Sequence, residues 1–329
     1  MIVVEVMALL LEEKVRFGVQ GIFRRTGSSA APWIPDLEDA KGLVRLVDDL
    51  GFDSMWVGDH VAFPVPIMDS ISQLAWAAAL SDRMTFGTAI YLLPLRHPTP
   101  VAKQIAALDH LCRGRLVFGV GVGGEFPMEF KACGVDVSQR GRLMDESLEV
   151  LKKLWRPGTA SHSGASLSFS EIELLPKPLQ EGGPPVWAGG RSDVALKRAG
   201  QVCDGYISYV VTPKMFRNFL EKISRAAEAA GRDVGTYGTG HLLFLRIDNE
   251  YERALDTAGA FLSERYGMDF RQAAEKYCAL GSPDAIASRM QEYVDAGIRH
   301  FVLDFVGPSE DYMEQIERFA SDVRPLIRC

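Results

Sequence analysis

Two kinds of apolar pattern alternate along this chain. Short unbroken runs rich in β-branched and aromatic residues suit strands buried on both faces, and longer stretches with apolar residues three or four apart suit one-sided helices. The clearest case spans residues 84–125. MTFGTAIYLL is a continuous apolar run. Thr99 and Pro100 open a helix whose Val101, Ile105, Leu108 and Leu111 share a face, Gly114 ends it, and RLVFGVGVG is the next buried run. This is one right-handed βαβ unit.

The alternation holds on either side. Residues 15–20 (VRFGVQ) read as the first strand, followed by a loop, GIFRRTGSSAAPWIP, and a helix capped by Asp36 and stopped by Gly51. FDSMWVGDH is the second strand and DSISQLAWAAALSD the second helix. After the central unit come a helix over 138–155 with Ser138 as its cap, strand five (PPVWAGG), a helix opened by Ser192, strand six (DGYISYVV) and a helix from Thr212 and Pro213 to Ala230. Strand seven (GHLLFLRI), helical material over 249–278, a further Ser-Pro-led helix, strand eight (HFVLDFVG) and a last helix to Val323 complete the chain. Eight strands alternating with at least eight helices predict an α/β fold closed as a (β/α)8 TIM barrel, with its chemistry at the C-terminal strand ends. Insertions are expected after strand four, as a hairpin over about 156–183, and after strand seven. Residues 1–14 read as an N-terminal extension and 15–329 as one domain.

Composition narrows the partners. Of 329 residues 47% are hydrophobic and 24% charged, and the net charge of −7 comes without a basic cluster, so the expected ligand is a small molecule and not a nucleic acid. Five cysteines without a CxxC pair predict free thiols in a reducing, cytoplasmic compartment. The apolar start carries Glu5, lacks a basic leader and is too short to span a bilayer, so no membrane partner is expected.

Candidate chemistry gathers at predicted strand ends. Asp59 and His60 end strand two, where a near-neutral imidazole beside a carboxylate suits acid-base work. Glycines 119, 121 and 124 satisfy GxGxxG, but Glu125, Phe126 and Pro127 intervene before any helix and the strand is the fourth, which argues against a Rossmann domain. These glycines are read as letting backbone approach a flat ligand closely. WAGGRSD joins a glycine turn, Arg191 and a Ser-led helix start, the makings of a phosphate site to which Arg140 and Arg142 could add charge. His97 either faces the pocket or, followed by Pro98, holds its loop's shape. His110, His162, His241 and His300 show no ligand spacing, so no metal is expected.

The stretch TAIYLLPLRHPTPVAKQIAALDHLCRGRLVFGVGVGG, with FDSMWVGDHV, QRGRLMDESLEVLKKLW, LLPKPLQ, PPVWAGGRSD and LGSPDAIASRM in order, resembles the bacterial luciferase-like monooxygenase superfamily. The resemblance covers residues 15–306 and implies a barrel binding FMN or coenzyme F420, a 5-deazaflavin. VGDH resembles the deazaflavin branch, implying that His60 lies near the reactive face, oriented by Asp59. It implies a non-prolyl cis peptide at Ala89 and Ile90 supporting the ring beside Thr88, and cofactor contacts at Gly121, Val122, Gly123, Gly124, Arg140, Gly189, Gly190, Arg191, Ser208 and Tyr209. Luciferase proper has an Arg where this chain has Val122, which favours F420 over FMN. Glu125 stands one glycine beyond the acidic residue of sugar-phosphate dehydrogenases; it and His97 are the candidate substrate contacts. The expected function is F420-dependent hydride transfer to or from a small organic substrate, in a homodimer. The alternatives are an FMN-dependent monooxygenase fed by a separate reductase, and a non-catalytic flavin-binding barrel.

Overall fold

The unbroken apolar runs become parallel strands, and the one-sided helical stretches fold back over their outer faces. The computed structural model describes residues 9–23, 34–63, 65–233 and 235–328. Within them eight parallel strands close into a ring: Arg16–Gln20, Ser54–Val57, Thr85–Thr88, Leu116–Gly121, Val186–Gly189, Gly205–Tyr209, Thr236–Ile247 and His300–Phe305, the last pairing with the first. They are numbered one to eight below, and they form the expected TIM barrel. Residues 1–8 of the expected extension and 24–33 of the loop after strand one lie outside the described residues. Leu10–Leu11, placed in that extension by the sequence, pairs in parallel with Thr236 and Tyr237 at the start of strand seven.

The helices are α1 (Leu37–Asp49), α2 (Ser70–Ala78), α3 (Pro98–Leu111), α4 (Pro127–Ala132), α5 (Arg140–Trp155), α6 (Asp193–Val202), α7 (Pro213–Ala229), α8 (Tyr251–Tyr266), α9 (Arg271–Tyr277), α10 (Pro283–Asp295) and α11 (Tyr312–Arg318). Asp36, Ser192, Thr212 and Ser282 cap their helices by accepting from first-turn amides, as read from the sequence. Two starts differ. Helix α3 begins two residues early, at Pro98, because His97 Nδ1 accepts from the Thr99 amide at 3.2 Å and Thr99 already lies in the first turn. Before α5, Asp136 caps a 3-10 turn, Val137–Gln139, and Ser138 donates to that carboxylate instead of capping the helix. A carboxylate is the stronger acceptor of the two.

Strand three is not the single run its sequence suggests. It stops at Thr88, passes through a cis Ala89–Ile90 peptide, and resumes as Tyr91–Leu92 beside Val120 and Gly121 of strand four. Between strands four and five, Ala160–Ser163 and Ser168–Ile172 pair as an antiparallel hairpin. After strand seven, α8, α9 and a short strand, Ala279–Gly281, precede α10.

Two indoles fill the middle of the barrel. Trp56 and Trp187 lie 5.5 Å apart, ring to ring, and Ile207 and Val302 complete the layer. Gly18 and Gly87 leave room for Trp56, and Gly205 and Gly238 for Trp187; a Cβ at any of these positions would overlap an indole. Below them His300 meets both indoles edge-on, and its Nε2 lies 2.7 Å from Ser54 Oγ, which also accepts from Trp56 Nε1.

Burial pushes the His300 imidazole down to about 3, and does the same to His241, which stacks on Tyr293 outside the barrel wall. A histidine folded in neutral form takes up its proton only on unfolding. The unfolded chain therefore binds more protons than the native one from about pH 6.5 downward, and stability falls as pH falls through that window. Denaturant titrations at pH 7.5 and pH 5 should give a lower midpoint at pH 5, with a smaller difference in His300→Gln. Equal differences in both proteins would mean that His300 is not buried uncharged.

Candidate active site

Side chains alternate along each strand, so the inward position two residues beyond the indole layer faces the mouth. For strands two to five that layer is Gly58, Ala89–Ile90, Gly121 and Gly189. For strands six, seven, eight and one it is Tyr209, Phe244, Asp304 and Gln20. The first group makes a floor without long side chains. Ile90 lies across it, and Cβ atoms at Gly121 or Gly189 would strike its Cδ1. A Cβ at Gly119 would strike the Thr88 carbonyl. The glycines of GVGVGG thus admit the strand-three irregularity at 119 and 121, a structural reason for them beside their reading as points of close approach to a flat ligand. At Gly123 and Gly124 the reason is the backbone, with φ of 61° and 111°, and Arg140 lies against Gly124.

His60 stands at the rim of this floor. Its ring stacks on Phe63 at 3.9 Å and takes the edge of Phe126 at 5.5 Å. Its Nδ1 lies 3.0 Å from Oε2 of Glu129, a fully buried residue of α4 whose Oε1 accepts from the Val61 and Ala62 amides at 2.7 and 3.2 Å. A carboxylate holding two backbone N–H groups is an acceptor, so Nδ1 carries the proton toward Glu129 and Nε2 is the nitrogen left for a ligand.

Asp59 does not orient His60. One residue earlier on the strand it points the opposite way, behind the barrel wall. There it accepts from Ser70 Oγ at 3.1 Å, from the Leu92 amide at 2.9 Å, and from both terminal nitrogens of Arg96, the Nη2 contact being 2.9 Å. It fastens the chain after the cis peptide to the end of strand two. Three other expected residues are likewise engaged elsewhere. Thr88 Oγ1 donates to the Gly119 carbonyl at 2.7 Å, holding strands three and four together. Ser208 is buried on the outward face of strand six, 2.8 Å from His241 Nδ1, because its neighbours Ile207 and Tyr209 take the inward positions. His97 is the cap of α3. Val122 is half-buried against the core outside the barrel.

The remaining candidates come together over strands four to six. Tyr209 Oη donates to Glu125 Oε1 at 2.9 Å, and the Arg191 guanidinium lies 5.5 Å from the Tyr209 ring and bonds the Val210 carbonyl. Burial first, and then Glu125, hold the Tyr209 phenol above its ordinary range, so it is a donor at neutral pH. Gly190, with φ of 118°, turns the chain out of strand five just before the N-terminus of α6. Partly open backbone at Gly123 and Gly124, exposed Gly190, two arginines and a helix N-terminus form a cradle suited to a phosphate-bearing ligand, beside a floor suited to a flat ring.

Sequence reasoning missed Glu129, 69 positions from His60, where no local signal links them. Asp304 was visible as a lone carboxylate within the apolar run HFVLDFVG. It accepts both terminal nitrogens of Arg265 from α8, at 2.6 and 3.4 Å.

The fold and site define a class of α/β barrels with a glycine-lined polar cradle and an imidazole at the C-terminal mouth. The family model for luciferase-like monooxygenase matches residues 15–322, and the chain belongs to that family. It is 26% identical over 311 residues to the F420-dependent glucose-6-phosphate dehydrogenase of Kineococcus radiotolerans, covering 85% of this chain and 90% of the relative. The sulfoquinovose monooxygenase of Agrobacterium fabrum is 25% identical over 331 residues, covering 88% and 83%. Among solved structures, an F420-dependent secondary alcohol dehydrogenase in complex with an F420-acetone adduct aligns with a TM-score of 0.80 at 20% identity, over 96% of this chain and all of that one (100%). The family's members are thus flavin- or deazaflavin-dependent oxidoreductases and monooxygenases. Among the described residues no helix is long and apolar enough to cross a membrane.

Removing Asp59 leaves Arg96 and the Leu92 amide unpaired, and breaking such a buried pair costs about 3–5 kcal/mol. Chemical denaturation of Asp59→Ala should show a loss of that order, partly restored by adding Arg96→Met. A loss below about 1 kcal/mol would contradict this structural role.

Proposed function

We propose that this protein is a coenzyme F420-dependent oxidoreductase moving a hydride to or from a small organic substrate. The observation carrying this reading is His60: an imidazole at the rim of a small-residue floor, its Nδ1 held by buried Glu129 and its Nε2 free for a reacting group. The relatives named for F420 support the choice of cofactor, as does Val122 in the place of luciferase's arginine. Bound F420 would supply a two-electron hydride carrier. The floor from Gly58 to Gly189 would hold its ring, and Gly123, Gly124, Arg140, Gly190 and Arg191 would hold its phosphate end.

The residues of this chain supply position and the proton. His60 Nε2 takes the proton from a substrate hydroxyl on oxidation and returns it on reduction, while Glu129 stabilises the imidazolium that forms. Phe63 and Phe126 cover part of the ring, and the rest stays open at the rim. Tyr209, clasped to Glu125, closes the mouth on the strand-six side. The reading carries a cytoplasmic homodimer with it, and a separate flavin or F420 reductase as the partner that would supply reduced cofactor.

Two measurements test this. In His60→Ala, turnover should fall by about 10²- to 10³-fold, within the usual contribution of acid-base catalysis, with cofactor affinity within about twofold of the parent. Undiminished turnover would remove His60 from the mechanism. Fluorescence titrations with oxidised F420 and with FMN at one ionic strength should show tighter deazaflavin binding. Tighter FMN binding would redirect the assignment to oxygen chemistry.

A further inference from the structure

The two halves of the mouth differ in kind. Opposite the floor, the inward residues of strands six, seven, eight and one are large or polar, and the segment after strand seven packs there, Tyr266 of α8 and Phe270 before α9 against Phe244 of strand seven. A polar arc runs along this side. It starts at Glu125 and Tyr209, continues through Tyr266, whose phenol burial pushes up to about 12, and reaches Arg265 and Asp304. Strand eight then hands it to strand one: Leu303 pairs with Val19, so Asp304 and Gln20 are neighbours facing the same way.

Gln20 ends the arc differently from its other members. Each carboxylate there has a partner, Glu125 in Tyr209 and Asp304 in Arg265. Gln20 Oε1 is buried and has none. It is also well fixed, because Tyr312 Oη donates to the Gln20 carbonyl at 2.8 Å and the carboxamide lies over Gly58, at the edge of the floor. A buried acceptor left without a donor is costly, and a ligand bringing an O–H or N–H to it regains that free energy. The arc's charges meanwhile answer one another. Arg265 is committed to both oxygens of Asp304, and Arg191 lies over the Tyr209 ring beside Glu125. Among the described residues of the arc each guanidinium is engaged, Arg265 by Asp304 and Arg191 by the Tyr209 ring and the Val210 carbonyl.

Resting on the cofactor placement proposed above, we infer that this arc is the substrate subsite, that it takes an uncharged ligand rich in O–H or N–H donors, and that Gln20 selects such a ligand through its unpartnered Oε1. Phosphorylated or carboxylated substrates are disfavoured, since the arc would set Asp304 and Glu125 against them while its described guanidinium groups are already engaged. Purely apolar substrates are disfavoured as well, because they would leave Oε1 buried and unanswered.

The test is a binding measurement and needs no turnover. Saturation-transfer NMR titrations of the full-length protein, with and without oxidised F420, would use glycerol, glucose and myo-inositol as uncharged donors. Glucose 6-phosphate and tetrahydropyran serve as the charged and donor-free comparisons. At least one polyol should bind at least fivefold more tightly than both comparisons. Gln20→Leu, close in shape, should weaken that polyol about tenfold, while Gln20→Glu, which keeps an acceptor oxygen, should retain most of the binding. Tighter binding of glucose 6-phosphate, no polyol better than tetrahydropyran, or a Gln20→Leu protein indistinguishable from the parent would each overturn the inference. Gln20-dependent polyol binding in a protein that fails to take up F420 would uphold the subsite while the cofactor reading fell.

Discussion

The interior of a closed eight-stranded barrel holds a fixed volume, and here two indoles occupy most of its middle layer. Trp56 and Trp187 stand on strands two and five, and nearby strands answer with Gly18, Gly87, Gly205 and Gly238. The same balance continues upward. Each indole is followed two residues later by a glycine, Gly58 or Gly189, so the strands that are fullest in the middle are emptiest at the mouth. Close packing allows no other distribution without strain or voids.

That emptiness lets the irregularity in strand three lie inside the barrel. Ile90 crosses toward strands four and five, where Gly121 and Gly189 leave it room, and the Thr88 carbonyl fits where Gly119 has no side chain. The ladder interrupted there is held from both sides, by Thr88 on the Gly119 carbonyl and by Asp59 on the Leu92 amide. Asp59 and Glu129 divide work that neighbouring acidic groups are often assumed to share. One is buried behind the wall with Arg96 and fixes backbone, and the other is buried beside the mouth and fixes an imidazole. The glycine-poor half of the mouth has the opposite character, with aromatic bulk from the segment after strand seven and polar groups that mostly satisfy one another.

Much of this was legible in the sequence because it is local. Strand and helix identities follow from apolar spacing, helix starts at Asp36, Ser192, Thr212 and Ser282 from capping chemistry, and eight alternations leave few topologies besides a barrel. Residues such as His60, Gly190 and Arg191 could be put at the mouth because a barrel's strand ends are its chemical face. Errors arose wherever one residue of offset mattered. Asp59 and Ser208 each adjoin an inward-facing position, and alternation turns them to the other side of the wall.

By itself, then, the sequence determined which segments become strands and helices, their order, and the ends at which polar groups collect, since each depends on residues a few positions apart. Only the tertiary structure decided which partners those groups have. Glu129 meets His60 and Arg265 meets Asp304 across 69 and 39 positions of chain, and strand register sets Asp304 beside Gln20. Such meetings are set by strand register and the closing of the ring, and no local pattern encodes the distance between groups that only the closed barrel brings together.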